Sequence, residues 1–98
     1  MRKTILVTGG CGWLGVEIVR VLLARGDKVV ATDVVSSPAI AALQASYPGL
    51  AFEQADLGEW RQIMDVLARH RIDAVIHAGA IVGVLQCAEI PVKALRVN

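Results

Sequence analysis

The sequence predicts an α/β fold in which helices cover both faces of a parallel sheet of four strands. Short runs rich in Val, Ile, Leu and Ala alternate along the 98 residues with longer stretches in which apolar residues recur every three or four positions. The composition is 55% hydrophobic but only 4% aromatic, which suits strands buried on both faces of a parallel sheet. Because the order is βαβαβαβα, we expect right-handed crossovers and, in a doubly wound sheet, the strand order 3-2-1-4.

Each predicted strand is a short apolar run, whereas each predicted helix has one apolar face. Gly26 stops the first helix, and the second opens at Ser37-Pro38 and ends before Pro48-Gly49. The predicted strands span residues 3–8, 28–35, 50–55 and 73–77, and the predicted helices span residues 13–25, 39–47, 59–70 and 91–98.

Three large apolar side chains on these helices are interpreted as packing residues. In the third helix, Trp60 and Met64 share a face with Ile63 and Leu67, at a spacing that predicts burial against the sheet. Trp13, at the start of the first helix, is assigned to packing or to the rim of a site.

Length, charge and cysteine content exclude several classes of function. The length predicts one domain, residues 1–98. The net charge is +1, and the basic residues form no stripe that would favour binding to nucleic acid. It has no apolar run of the ~18 residues that a membrane span needs, and its N-terminus lacks a signal-peptide core. Cys11 and Cys87 have no metal-ligand spacing. We therefore expect a soluble, cytoplasmic protein with free thiols and no metal site.

A glycine-rich turn joins the first strand to the first helix. Residues 8–15 read Thr-Gly-Gly-Cys-Gly-Trp-Leu-Gly, so Gly10-x-Gly12-x-x-Gly15 follows a strand and opens a helix. The helix N-terminus offers unpaired amides and a positive dipole end, and glycine lets a phosphate approach them. A Walker loop is excluded because no Lys-Ser/Thr pair follows Gly15. The residues predicted to bind a dinucleotide pyrophosphate are Gly9, Gly12, Trp13, Leu14 and Gly15.

Asp33 lies 18 residues beyond Gly15, at the tip of the second strand. A carboxylate at this place accepts hydrogen bonds from the ribose hydroxyls of NAD and repels the 2′-phosphate of NADP. The following Val34 and Val35 offer no arginine to hold that phosphate. We therefore predict that NAD is the cofactor, while a plain strand-end turn is the alternative role for Asp33.

The ends of the third and fourth strands carry further candidates. Asp56 has two compatible interpretations: a capping box with Glu59, or a carboxylate that accepts from the adenine edge. His77 ends a strand at the edge where ligands bind, and a packed, hydrogen-bonded role is favoured over a catalytic one. The small residues 78–80 would let a cofactor lie against the strand end.

Together these motifs resemble the extended short-chain dehydrogenase/reductase family, the NAD-dependent epimerases and dehydratases that act largely on nucleotide sugars and share a Rossmann-type fold. Residues 8–15 are similar to the family's T-G-G-x-G-x-x-G signature, and residues 77–80 are similar to its H-x-A-A motif, with a glycine where alanine is usual. The resemblance implies further cofactor contacts at Asp33, Asp56, Leu57, Ala78, Gly79, Ala80 and Asn98.

The resemblance also implies chemistry that this stretch cannot supply. The family's acid/base is a tyrosine with a lysine four residues later, whereas four residues after Tyr47 stands Ala51. We therefore assign no catalytic residue and expect the cofactor-binding portion of a longer enzyme. The full-length protein would transfer a hydride to or from a sugar or nucleotide-sugar hydroxyl, and a homodimer is compatible with the resemblance. The alternative is a non-catalytic NAD(P)-sensing module of the same fold.

Overall fold

A computed structural model describes residues 2–79, and within them strands and helices alternate as predicted. The four strands form one parallel sheet in the order β3-β2-β1-β4, which confirms the predicted doubly wound arrangement. The predicted helix at 91–98 lies outside the described residues. The elements are β1 Thr4–Thr8, α1 Trp13–Ala24, β2 Lys28–Asp33, α2 Pro38–Ser46, β3 Leu50–Gln54, α3 Trp60–Arg69 and β4 Ala74–His77.

Two hydrophobic layers hold the helices to the sheet, because successive strand side chains point to opposite faces. On one face, Val7 and Val29 pack with Val19 of α1 and Ile40 of α2. The other face carries a smaller cluster, in which Val66 of α3 is 1% exposed. That second cluster consists of Leu6, Val30, Ala55 and Val66, with Ala51, Ile63 and Ile72 packed against it.

Local sequence explains where α1 and α2 begin and end. Gly26, after the last turn of α1, has a φ of +94°, a left-handed conformation that favours glycine. The Ser37 hydroxyl accepts a hydrogen bond from the Ile40 amide at 3.3 Å, and Pro38 occupies the first helical position. β2 ends at Asp33 rather than at residue 35, because the chain bends after Asp33 instead of continuing beside β3.

The packing predicted for Trp60, Met64 and Leu67 of α3 is wrong, whereas Ile63 of the same predicted face packs against the second cluster. Trp60 is 77% exposed, Met64 45% and Leu67 39%, whereas Val66 is buried. At ~100° per residue, the Trp60–Met64–Leu67 stripe lies roughly a third of a turn around the helix from the side that Val66 presents to the sheet. Trp13, at 88% exposed, does not pack in the core either, and its position at the start of α1 agrees with the predicted site rim.

An ion pair ties the C-terminal end of α3 to β3. The Glu53 carboxylate accepts from Arg69 Nε at 2.7 Å and contacts His70 Nε2 at 2.9 Å. The hydrogen bond from Arg69, with a smaller contribution from His70, lowers the pKa of Glu53 below its ordinary value. The same bond raises the pKa of Arg69.

Candidate functional site

The predicted site residues converge on the carboxyl edge of the sheet. The loops that leave β1, β2 and β3 and the end of β4 all lie at this edge, since the four strands are parallel. β1 lies between β2 and β4: the crossover through α1 leads from β1 to β2 on one side, and the crossover through α3 leads from β3 to β4 on the other. In open α/β sheets the crevice at such a switch point is where ligands bind.

At three positions in the segment that follows β1, the structure has room for glycine but not for a residue with a Cβ atom. Gly9 has a φ of +67°, and a Cβ atom placed on it would lie 2.6 Å from Gly79 Cα. A Cβ on Gly10 would lie 2.8 Å from Ala31 Cβ, and one on Gly15 would collide with the carbonyl of Gly9. Gly15 therefore allows the first turn of α1 to pack directly on the backbone of Gly9 and Gly10.

The first turn of α1 presents backbone amides without helical acceptors. Gly12 is the N-cap, with no side chain to accept from these amides, and the first intrahelical bond runs from Val16 N to Gly12 O at 2.9 Å. The amides of Trp13 and Leu14 therefore remain as donors. Together with the positive end of the helix dipole, they can bind an anion.

Asp33 is held beside this turn by backbone amides. Its Oδ2 accepts from Cys11 N at 3.1 Å, and its Oδ1 accepts from Val34 N at 2.8 Å. A carboxylate oxygen has two lone-pair sites, so each oxygen can accept one more hydrogen bond. The structure thus places a carboxylate, already oriented, next to the glycine turn. Sequence reasoning missed that Cys11 orients it through its amide.

The Cys11 thiol lies in the same turn and is free. Its burial raises the pKa of the thiol above the ordinary value, and the negative charge of Asp33 adds to this effect. Hydrogen bonds with Ser37 act in the opposite direction. Cys87 lies outside the described residues.

Asp56 shapes the loop after β3, but not as the capping box that its spacing to Glu59 suggested. Asp56 Oδ1 accepts from Gly58 N at 2.8 Å, which makes a turn within the loop. The N-cap of α3 is Glu59, which makes no side-chain capping bond. The capping-box interpretation is therefore wrong, because the loop contains an extra turn before the helix begins. The adenine-side role of Asp56 stays a prediction.

Leu57 brings this loop into contact with the end of β4. A Cβ atom on Gly79 would lie 2.5 Å from Leu57 Cδ1 and 3.0 Å from Gly9 N. The leucine methyl thus occupies the space that an alanine at residue 79 would need. This contact explains why a glycine, rather than the alanine usual in this motif, fits at residue 79.

A hydrogen-bonded group at the end of β1 joins the glycine turn to β4. Thr8 Oγ1 lies 2.7 Å from His77 Nδ1 and accepts from Gly79 N at 3.2 Å. The Thr8 carbonyl accepts from Ala78 N at 3.1 Å. The hydrogen bond predicted for His77 is confirmed, but the predicted packing is wrong, because the residue is exposed at the end of β4. Thr8 was not singled out as a side chain, since its partners lie about seventy residues away in the chain.

Two of the predicted cofactor contacts, Ala80 and Asn98, lie outside the described residues. Within residues 2–79, no helix has the length and hydropathy needed to cross a membrane. Over that same range, no cluster of three or more His, Cys, Asp or Glu side chains is arranged to hold a metal ion.

Comparison with known proteins assigns the family. Residues 5–98 match the model of the "NAD dependent epimerase/dehydratase family". The chain belongs to this family. The match covers the glycine turn, Asp33 and the end of β4, so it confirms the resemblance drawn from those motifs.

Characterised members of the family share about a third of the aligned residues. The chain is 34% identical over 93 residues to UDP-glucose 4-epimerase of Bacillus subtilis, covering 91% of this chain and 27% of that enzyme. It is 37% identical over 83 residues to dTDP-glucose 4,6-dehydratase of Neisseria gonorrhoeae, covering 81% of this chain and 24% of that enzyme. The chain thus spans less than a third of these two enzymes.

Solved structures of family members have the same fold. The UDP-Glc/GlcNAc 4-epimerase from Campylobacter jejuni aligns with a TM-score of 0.85 at 26% identity, over 98% of this chain and 30% of that one. The UDP-glucose 4-epimerase of Thermus thermophilus, solved in complex with NAD, aligns with a TM-score of 0.78 at 30% identity, over 96% of this chain and 29% of that one.

Proposed function

We propose that this chain is the NAD-binding portion of an epimerase or dehydratase that acts on a nucleotide sugar. The observation that carries the proposal is the juxtaposition of the unpaired α1 amides with the Asp33 carboxylate. A dinucleotide needs both partners: donors that bind the anionic pyrophosphate and an acceptor for the hydroxyls of a ribose. The relatives are enzymes, which does not favour the alternative of a non-catalytic sensing module.

The residues of the turn fit the pyrophosphate. The amides of Trp13 and Leu14 would donate to it, since Gly12 provides no competing side-chain acceptor. Gly9 and Gly15 allow the turn to pack closely, because a Cβ atom at either position would collide with backbone atoms of Gly79 or Gly9. The side chains of Trp13 and Leu14 are exposed and lie away from the core.

The residues at the ends of β2 and β3 fit the adenosine half. The free lone pairs of Asp33 would accept from both ribose hydroxyls, and its charge would repel the additional phosphate of NADP. Asp56 and Leu57 would border the adenine. Ala78 and Gly79 would lie along the cofactor, and Ala80 and Asn98 complete the proposed contacts towards the nicotinamide.

The chemistry of the full-length protein follows from the family. Bound NAD would accept a hydride from the carbon that bears a sugar hydroxyl and would return one, while residues of this chain would bind and orient the cofactor. No tyrosine in these 98 residues precedes a lysine by four positions, so the proton transfer is assigned to residues outside this stretch. The proposal includes a small-molecule substrate, no nucleic-acid partner, a homodimer and a cytoplasmic location.

Calorimetric titration of the chain with NAD and NADP tests the proposal. We expect NAD to bind and NADP to bind at least tenfold more weakly, as ~1.4 kcal/mol of charge repulsion produces. Asp33→Asn should reduce NAD affinity and should reduce the ratio between the affinities for NAD and NADP. Asp65→Asn, at an exposed aspartate of α3, serves as the matched control and should bind as the parent does. Tighter binding of NADP, or no binding of either cofactor, would contradict the assignment.

A further inference from the structure

A row of polar side chains crosses the sheet at its carboxyl edge. Thr8 is aligned with Thr32 on one side and with His77 on the other, and Thr32 is aligned with Glu53. The row one pleat away from this edge, on the same face, is apolar, so the polar row is confined to the end where β1 leads into the glycine turn. That apolar row consists of Ala51, Val30, Leu6 and Val75.

Within the polar row, Thr8 and His77 are directly bonded. The Thr8 residue is 4% exposed, and its hydroxyl has one proton to donate and two lone pairs to accept. One lone pair accepts from the Gly79 amide, and the other contact is the 2.7 Å bond with His77 Nδ1. In the tautomer that carries its proton on Nε2, His77 accepts a hydrogen bond from the Thr8 hydroxyl at Nδ1. A continuous chain of hydrogen bonds then runs from the Gly79 amide through the Thr8 hydroxyl to His77. Hydrogen bonds in such a chain polarise and strengthen one another.

This chain of bonds determines where Gly79 lies relative to the glycine turn. The amides of Ala78 and Gly79 are both bonded to Thr8, one to its carbonyl and one to its hydroxyl. Gly79 in turn lies against Gly9, where a Cβ on Gly9 would come within 2.6 Å of Gly79 Cα. Gly9 accepts from Gly12 N at 3.1 Å, so its position is linked to the start of α1.

We propose that His77 is a positioning residue of the cofactor site, which acts through the Thr8 hydroxyl to hold Gly79 against Gly9 and so sets the shape of the pyrophosphate turn. The inference rests on the proposed NAD-binding function and adds a residue that does not touch the cofactor. Without the imidazole, the Thr8 proton turns to another acceptor and the hydroxyl no longer presents its lone pair to Gly79. The turn then samples conformations that bind the pyrophosphate less well.

The test is a double-mutant cycle on NAD affinity, measured by calorimetry on the full chain. His77→Ala should weaken NAD binding about two- to tenfold, the range that corresponds to one net hydrogen bond. His77→Asn should restore most of the affinity, because the asparagine amide places Oδ1 where Nδ1 lies. Since His77 acts through Thr8, the T8V/H77A double variant should bind no more weakly than T8V alone.

Two controls separate positioning from general destabilisation. His70→Ala removes the histidine that contacts Glu53 on β3, two strands away from Thr8, and should leave NAD affinity unchanged. Nitrogen NMR of the unliganded parent should show His77 protonated on Nε2, and the Gly9 and Gly79 amide signals should shift in H77A but not in H70A.

Two results would overturn the positioning role and leave the proposed function standing. In the first, the parent binds NAD and H77A binds it equally well. In the second, H77A lowers NAD affinity by the same factor in the presence and in the absence of the Thr8 hydroxyl. If the parent does not bind NAD, the proposed function fails and the positioning role fails with it.

Discussion

Gly79 and Gly9 lie so close together that a Cβ atom on Gly9 would collide with the Gly79 backbone. A Cβ on Gly9 would stand 2.6 Å from Gly79 Cα, and a Cβ on Gly79 would stand 3.0 Å from Gly9 N. The end of β4 therefore forms one wall of the glycine turn, although the two residues are far apart in the sequence. Changes at this contact are expected to affect both the fold and the cofactor site.

Gly9→Ala should destabilise the protein and reduce NAD affinity. The alanine must adopt a φ of +67° and approach the Gly79 backbone, which cannot move as a flexible side chain can. We expect a loss of about 1–3 kcal/mol in the free energy of unfolding, and a roughly tenfold or greater loss of NAD affinity. Urea unfolding and calorimetry measure the two effects.

Gly49→Ala is the matched control for this change. The nearest atom to a Cβ on Gly49 lies at 3.8 Å, an ordinary van der Waals contact, and its φ is not in the left-handed region. Its unfolding free energy should stay within about 0.5 kcal/mol of the parent. Equal losses in the two variants would show that the Gly9–Gly79 contact has no special role.

Gly79→Ala tests whether Leu57 occupies the space of the missing methyl group. The alanine Cβ would meet the flexible tip of Leu57 at 2.5 Å, so overpacking should cost about 1–3 kcal/mol. In a Leu57→Ala background this collision is absent, and we expect the cost of Gly79→Ala to fall clearly. Unfolding of the four proteins of this cycle measures the coupling. Additive costs would contradict the contact.

Cys11 should report cofactor binding through its reactivity. Burial raises the pKa of its thiol, so alkylation by iodoacetamide should be slow near neutral pH and should accelerate as the pH rises, because the thiolate is the reacting form. Saturating NAD should slow the reaction further by covering the turn. Asp33→Asn, which removes a charge that raises the pKa, should speed it. Peptide mapping separates Cys11 from Cys87, and an alkylation rate unaffected by NAD would contradict the assigned site.

The stability contributed by Glu53 should depend on pH. Since Arg69 lowers the pKa of Glu53 from its ordinary value of 4.5, the folded state holds this carboxylate charged more strongly than the unfolded state does. The contribution is therefore fully present above about pH 4.5 and is lost as the pH falls through the lower folded value. Glu53→Gln should reduce stability at pH 7 and have less effect at about pH 3.

Glu17→Gln provides the comparison for this pH effect. Glu17 pairs with Arg20 within α1, and both side chains are about half exposed, so the pair contributes little. Urea unfolding at both pH values should show a pH-dependent loss for Glu53→Gln and almost none for Glu17→Gln. The same loss at both pH values for Glu53→Gln would contradict the lowered pKa.

Local sequence determined most of the architecture of this chain and the place of its site. Apolar runs and helical spacing indicated all seven elements of residues 2–79, and the doubly wound arrangement predicted the strand order that the sheet confirms. The glycine spacing and Asp33 could be placed at one edge because parallel strands bring their carboxyl ends together. These features depend on neighbours in the chain and on general rules of chirality.

Only the tertiary structure decided which apolar side of α3 is buried and how the site is braced. The burial of Val66 rather than Trp60 depends on how α3 rotates over β1 and β2, which helical periodicity alone does not specify. The Thr8–His77 bond and the Leu57–Gly79 contact join residues brought together by the register of β4 on β1 and by the path of the loop after β3. Such contacts depend on the relative positions of whole elements, which are set by packing across the entire sheet.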